Sequence, residues 1–148
     1  MESHAKRARE LFDQGYNCAQ AVFAAFCDET KMDFETALKL AAPFGGGIGR
    51  LREVCGAVSG MAMVLGMKYG YTDPQDNDTK MEHYQLAQSL VNEFKEKNGS
   101  FLCKELIGRD ADGNPYPNAE ATSRPQSQIC PGLVENAAII LESYIQSK

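Results

Sequence analysis

Four glycines, at 45, 46, 47 and 49, stand directly before a long apolar segment in GGGIGRLREVCGAVSGMAMVLGMKYG, residues 45–70, and this run constrains the chain more than any other. Within it Gly56, Ser59, Gly60, Ala62 and Gly66 are small, whereas Val54, Val58, Met61, Met63, Val64, Leu65 and Met67 are large and apolar. A helix with one solvated face is not written that way. Glycine in a helix interior costs about 1 kcal/mol against alanine, so three of them in one segment predict that other backbone, or a bound group, comes close. The run therefore predicts a central buried helix that carries Cys55 at a crowded position.

Around that helix the remaining pattern is helical throughout. Ala5, Ala8, Leu11 and Phe12 make an apolar stripe over Glu2 to Gln14, which stops at Gly15. Asn17 then offers an N-cap and Gln20 the matching capping-box residue, placing Cys18 at a first helical position. Cys18, Val22 and Phe26 share one face, and at about 100° per residue Cys27 points to the opposite side. Asp33 caps a short helix, Phe34 to Ala42, ended by Pro43. Asp78 begins a long amphipathic helix with a stripe of Met81, Tyr84, Ala87, Leu90 or Val91, and Phe94, closed by Gly99. Ser100 caps a short helix with Cys103 in its first turn. Residues 108–129, with Pro115, Pro117 and Pro125, read as a long polar loop. Cys130 before Pro131 is a candidate N-cap of the last helix, whose stripe runs from Leu133 to Ile145. No strand pattern is seen. The expectation is an all-α, single-domain bundle, 1–148, of about five to seven helices around the central glycine-rich one.

A net charge of −5 with pI near 5.0 argues against a nucleic-acid partner, because binding a run of phosphates needs a basic face. The first residues, MESHAKRARE, lack the apolar core of a signal peptide. The longest apolar run, Val54 to Met67, is broken by glycine and serine and is shorter than the roughly 20 residues a bilayer demands. A soluble cytoplasmic protein without membrane insertion is expected.

Five cysteines, at 18, 27, 55, 103 and 130, are many for such a chain. In a reducing compartment they are buried filler, metal ligands or redox thiols, and no Cys-x-x-Cys pair marks a metal site by spacing. Cys18, Cys103 and Cys130 fall at expected helix starts, and Cys55 follows the glycine loop. A helix-end dipole worth about 0.3 to 1 kcal/mol moves a pKa by well under one unit, so helix starts alone do not make thiolates. Were the four to converge, their mutual repulsion would oppose ionisation further, and a bound cation would reverse the balance. Convergence therefore means metal or cluster ligands, or disulfides that open and close. Any one of these cysteines taken alone reads first as small apolar filler, and Cys27, on the far face, is assigned to that role.

Other motifs fall away on spacing. The glycine loop lacks glycine at the positions of G-x-G-x-x-G, where Arg50 and Arg52 stand, and no Gly-Lys-Ser/Thr follows. These two arginines read as solvated residues at a helix start. Asp110, Asp112 and Asn114 lack the closing glutamate of a calcium loop and read as a turn. His4 and His83 are isolated on expected helices and receive no role.

Cys18 in GYNCAQAV, the run GGGIGRLREVCGAVSG, Cys103 in CKELIG and Cys130 ahead of the final helix together resemble the C_GCAxxG_C_C family of redox-active proteins, over nearly the whole chain. That resemblance marks Cys18, Cys55, Cys103 and Cys130 and excludes Cys27. Relatives of this domain look similar to the iron–sulfur part of split-Soret cytochromes, which implies that the four sulfurs hold an iron–sulfur cluster, in [2Fe-2S] form. No Cys-x-x-Cys-His haem attachment is present, so a cytochrome function is not carried over. The first expectation is thus a redox protein passing single electrons to a partner protein, with homo-oligomerisation left open. The alternatives are a metal-free protein whose redox thiols are Cys18, Cys55, Cys103 and Cys130, and a non-redox structural module, with or without zinc.

Overall fold

In the computed structural model, residues 3–116 and 126–148 are described. The Ser3 hydroxyl accepts the Lys6 N–H at 3.1 Å and opens α1, His4–Asp13. Residue 2, where the sequence reading starts this helix, lies outside the described residues. Gly15, with φ of 108°, turns the chain into α2, Cys18–Ala25. The capping box forms as the sequence spells it: the Gln20 N–H reaches Asn17 Oδ1 at 2.9 Å, and the Asn17 N–H reaches Gln20 Oε1 at 3.1 Å. A one-turn helix, α3 (Cys27–Thr30), follows, then α4 (Phe34–Ala41) capped by Asp33. Pro43 falls in a 3-10 turn, Ala42–Phe44, and the glycine loop leads to α5, Gly56–Tyr69. The remaining helices are α6, Asn77–Asn98, capped by Asp76; α7, Cys103–Ile107; and α8, Gln126–Gln146. Among the described residues there is no sheet, only the isolated antiparallel bridges Val54–Leu102 and Arg109–Pro115. The all-α expectation holds.

The helices share one hydrophobic core. Every residue of α2 except Gln20 is buried, and this helix packs against α1, α4, α5 and α8. Phe23 and Phe26 are fully buried, each stabilising the fold by roughly 1.5–3 kcal/mol. The contact between α2 and α5 depends on two of the expected glycines. A Cβ on Gly56 would stand 3.1 Å from the Cys18 Cβ, and one on Gly60 would stand 2.8 Å from the Ala19 carbonyl oxygen. Gly66 plays no such part, because a Cβ there meets nothing within 4 Å.

Three sequence expectations are corrected. First, the loop placed at 108–129 ends early: residues 126–129 belong to α8, while 117–125 lie outside the described residues. Residues 110–114 do form a turn, in which Asp110 Oδ1 accepts the N–H groups of Asp112 and Asn114, each at 2.9 Å. Second, Cys130 is not the N-cap of the last helix but lies inside it, and Pro131 is an interior residue. A proline this close to a helix start removes one hydrogen bond without ending the helix. Third, the stripe of α6 is buried only at Leu90 and Phe94. Met81 and Tyr84 remain 53% and 42% exposed, because no residue of that helix before Leu90 is buried.

Candidate functional site

Two short extended segments tie the stretch carrying Cys55 to the stretch carrying Cys103. The Cys55 N–H donates to the Phe101 carbonyl at 2.8 Å, and the Cys103 N–H donates to the Glu53 carbonyl at 2.6 Å, flanking the Val54–Leu102 bridge. Cys55 is the N-cap of α5 and Cys103 the first residue of α7. Cys18 opens α2 beside Gly56, and its hydrogen-bond partner is Cys130 on α8. Once ionised, Cys55, Cys130 and Cys103 would each hold the Cys18 thiol higher still. Cys27 stands apart, under the influence of Arg7, Asp28 and Asp33 instead. No disulfide joins the cysteines.

Cys18, Cys55, Cys103 and Cys130 are each less than 9% exposed. Such burial disfavours the charged form of a thiol. The hydrogen bond to Cys130, followed by burial, holds the Cys18 thiol well above its usual range. Burial pushes Cys55 up to about 12, against the pull of the Ala57 and Val58 amides at the start of α5. Burial also raises Cys103, opposed by Arg52, whose guanidinium lies 3.6 Å from the sulfur. In the metal-free protein Cys18, Cys55 and Cys103 are therefore held toward the neutral thiol, and a bound cation would favour their thiolates.

The glycine loop is wound left-handed. Gly46, Gly47, Ile48, Gly49 and Arg50 have φ of 67°, 70°, 69°, 56° and 69°, and Arg52 has 64°. For Ile48, Arg50 and Arg52 this conformation costs roughly 1–2 kcal/mol per residue. Hydrogen bonds hold it: Gly49 N–H to the Pro43 carbonyl at 2.8 Å, Arg52 to Gly46 at 3.1 Å and Glu53 to Gly47 at 3.0 Å. Glycine is required at 47, where a Cβ would stand 2.6 Å from the Glu53 nitrogen. Arg50 and Arg52 are therefore not helix-start residues, as the sequence suggested, but part of a strained loop beside Cys18 and Cys103.

The sequence reading also missed His4. Its ring stacks on Phe26 at 4.2 Å, with Nδ1 2.8 Å from Glu142 and Nε2 3.0 Å from Asp28. His4, Asp28 and Glu29 place potential ligand atoms within 4.8 Å of one another. Since those partners are distant in sequence, no local motif signals them.

A fold of helices whose buried cysteines sit at or near helix starts defines a cysteine-centred helical protein. Over residues 16–144 the chain matches the family described as "Putative redox-active protein (C_GCAxxG_C_C)", and it belongs to that family. Neither the curated proteins nor the solved structures compared with it gave a match. No helix among the described residues is long and apolar enough to cross a membrane.

Proposed function

We propose that Cys18, Cys55, Cys103 and Cys130 form one redox site that holds an iron–sulfur cluster and exchanges single electrons with a partner protein. The observation that carries this reading is that all four sulfurs are buried in one core, with Cys18 bonded to Cys130 and the Cys55 and Cys103 segments tied by one bridge, whereas Cys27 is only half-buried. Membership of a family described as redox-active supports it.

The donor set suits the group: four cysteine sulfurs are the usual ligands of a [2Fe-2S] centre. Such a cluster, when bound, supplies one-electron chemistry. The protein's own residues prepare the ligands. The Ala57 and Val58 amides and the Arg52 guanidinium favour negative sulfur at Cys55 and Cys103. Burial of all four sulfurs keeps water from them.

Anaerobic purification from cells with intact cluster assembly, followed by visible absorption and by iron and sulfide analysis, tests the proposal. Near-stoichiometric iron with a charge-transfer spectrum is expected. Colourless, iron-free protein overturns it, and zinc in place of iron favours a structural module.

The hydrogen-bonded pair Cys18 and Cys130 favours a second reading, in which these two thiols cycle with a disulfide without metal. Oxidation would join the two sulfurs and release two protons and two electrons to an acceptor disulfide, which becomes two thiols. Thiol counting before and after mild reductant decides: an unchanged count removes this option.

A further inference from the structure

The left-handed glycine loop forms one wall of a cavity of about 640 Å³, which is lined also by Phe12, Tyr16, Cys18, Arg50 and Arg52. No carboxylate is among the described residues lining it. Among the described residues the Arg50 side chain makes no ion pair or hydrogen bond, and the Arg52 side chain bonds only to the Cys103 sulfur. At Gly49 and Gly15 a Cβ would meet nothing within 4 Å, so the space beside the loop is open. The volume lies within the range of small-molecule sites, about 300–1,000 Å³.

We infer that this cavity binds a small organic anion with an apolar body, its carboxylate or phosphate held by Arg50 and Arg52 and its body against Phe12 and Tyr16, beside the sulfur of Cys18. Arginine suits this task, because its planar fork pairs with carboxylate and phosphate oxygens and stays charged at every physiological pH. Aromatic walls then select for a flat apolar portion over a bare ion. The inference rests on the redox reading only for what the ligand does there: it is the small molecule that the Cys18 site meets.

Calorimetric titration of the as-purified and the metal-stripped protein with benzoate, phenyl phosphate, benzamide and inorganic phosphate tests the site. Saturable binding of benzoate and phenyl phosphate, with none for benzamide, is expected. Arg50→Gln should weaken both by about tenfold and the Arg50→Gln/Arg52→Gln pair by more. No saturation by benzoate or phenyl phosphate up to about 10 mM overturns the inference, as does benzamide binding equally well. Inorganic phosphate binding as tightly as phenyl phosphate overturns the apolar body. The neutral-analogue comparison decides even if a variant fails to fold. Anion binding by protein that proves redox-inert supports this site while sinking the redox reading. Redox-active protein that binds no anion overturns this site alone.

Discussion

The guanidinium of Arg52 lies 3.6 Å from the sulfur of Cys103, and the Arg52 carbonyl accepts the N–H of the next residue, Lys104, at 3.2 Å. Arg52 is thus clamped to the start of α7 through both its backbone and its side chain. Its charge and hydrogen bond oppose the burial that raises the Cys103 thiol. Arg52→Gln should raise that thiol further and slow its alkylation several-fold in reduced, metal-free protein, with Arg52→Lys restoring part of the rate. In cluster-loaded protein the same change should move the reduction potential negative, because the reduced state loses a counter-charge. Mass spectrometry of Cys103 labelling against pH checks the first effect; a profile identical to wild type would show that the contact carries no electrostatic weight.

Gly60 and Gly66 lie on the same helix and separate packing from propensity. A Cβ at Gly60 would stand 2.8 Å from the Ala19 carbonyl oxygen and 3.0 Å from the Val22 Cβ, so α2 and α5 must move apart. Gly60→Ala should destabilise by roughly 1–3 kcal/mol, as overpacking does. Gly66→Ala fills open space on an exposed face and should stabilise by about 0.5–1 kcal/mol. Chemical denaturation of both variants reads the two signs; equal effects would refute the close-approach account.

Local chemistry was legible in the sequence, and tertiary pairing was not. Asn17 and Gln20 announced the start of α2, and hence the place of Cys18, because a capping box closes within four residues. The four glycines announced an unusual loop but not its hand, since glycine adopts either sign of φ. Ile48, Arg50 and Arg52 carried no signal at all, because hydrogen bonds from Gly49, Arg52 and Glu53 impose their left-handed backbone. The clip that ties the Cys55 segment to the Cys103 segment joins two extended stretches too short to show a strand pattern. Pro131 misdirected the start of α8, whose true first turn has the polar composition of a loop. His4 finds Asp28 and Glu142 at separations of 24 and 138 residues, beyond any motif.

Asp33 and Asp76 give the fold an acid limb. The Thr36 N–H and then its hydroxyl hold Asp33 below its usual 3.8, and the Thr79 hydroxyl and then its N–H do the same for Asp76. A carboxylate with a depressed folded-state pKa contributes stability above the unfolded value, and that contribution is lost as pH falls through the folded one. Asp33→Asn keeps a capping oxygen but cannot titrate. The stability gap between wild type and this variant should therefore shrink as pH is lowered from 5 to about 2, mostly below pH 4. Denaturant melts across that range check it; a constant gap would mean that the cap does not titrate with folding.

The thiols should differ in reactivity by position rather than by number. With Cys55 pushed up to about 12, roughly one molecule in ten thousand carries its thiolate at pH 8, against about one in four for an ordinary cysteine. Cys18 is held high by its bond to Cys130 and by burial, and Cys103 by burial. Cys27 is raised too, by burial, but it is only half-buried and Arg7 pulls it back. In reduced, metal-free protein at pH 8, Cys27 should therefore label first, with the other four following only as the fold opens or the pH climbs. Cys27→Ser should remove the fast phase and leave iron content untouched, whereas Cys55→Ser should leave the fast phase and abolish iron binding. Time-resolved labelling with peptide mapping, beside iron analysis of both variants, decides between these outcomes. If Cys55 labels as fast as Cys27, the sulfurs are not shielded as the fold implies. If Cys27→Ser also loses iron, the ligand set is wrong.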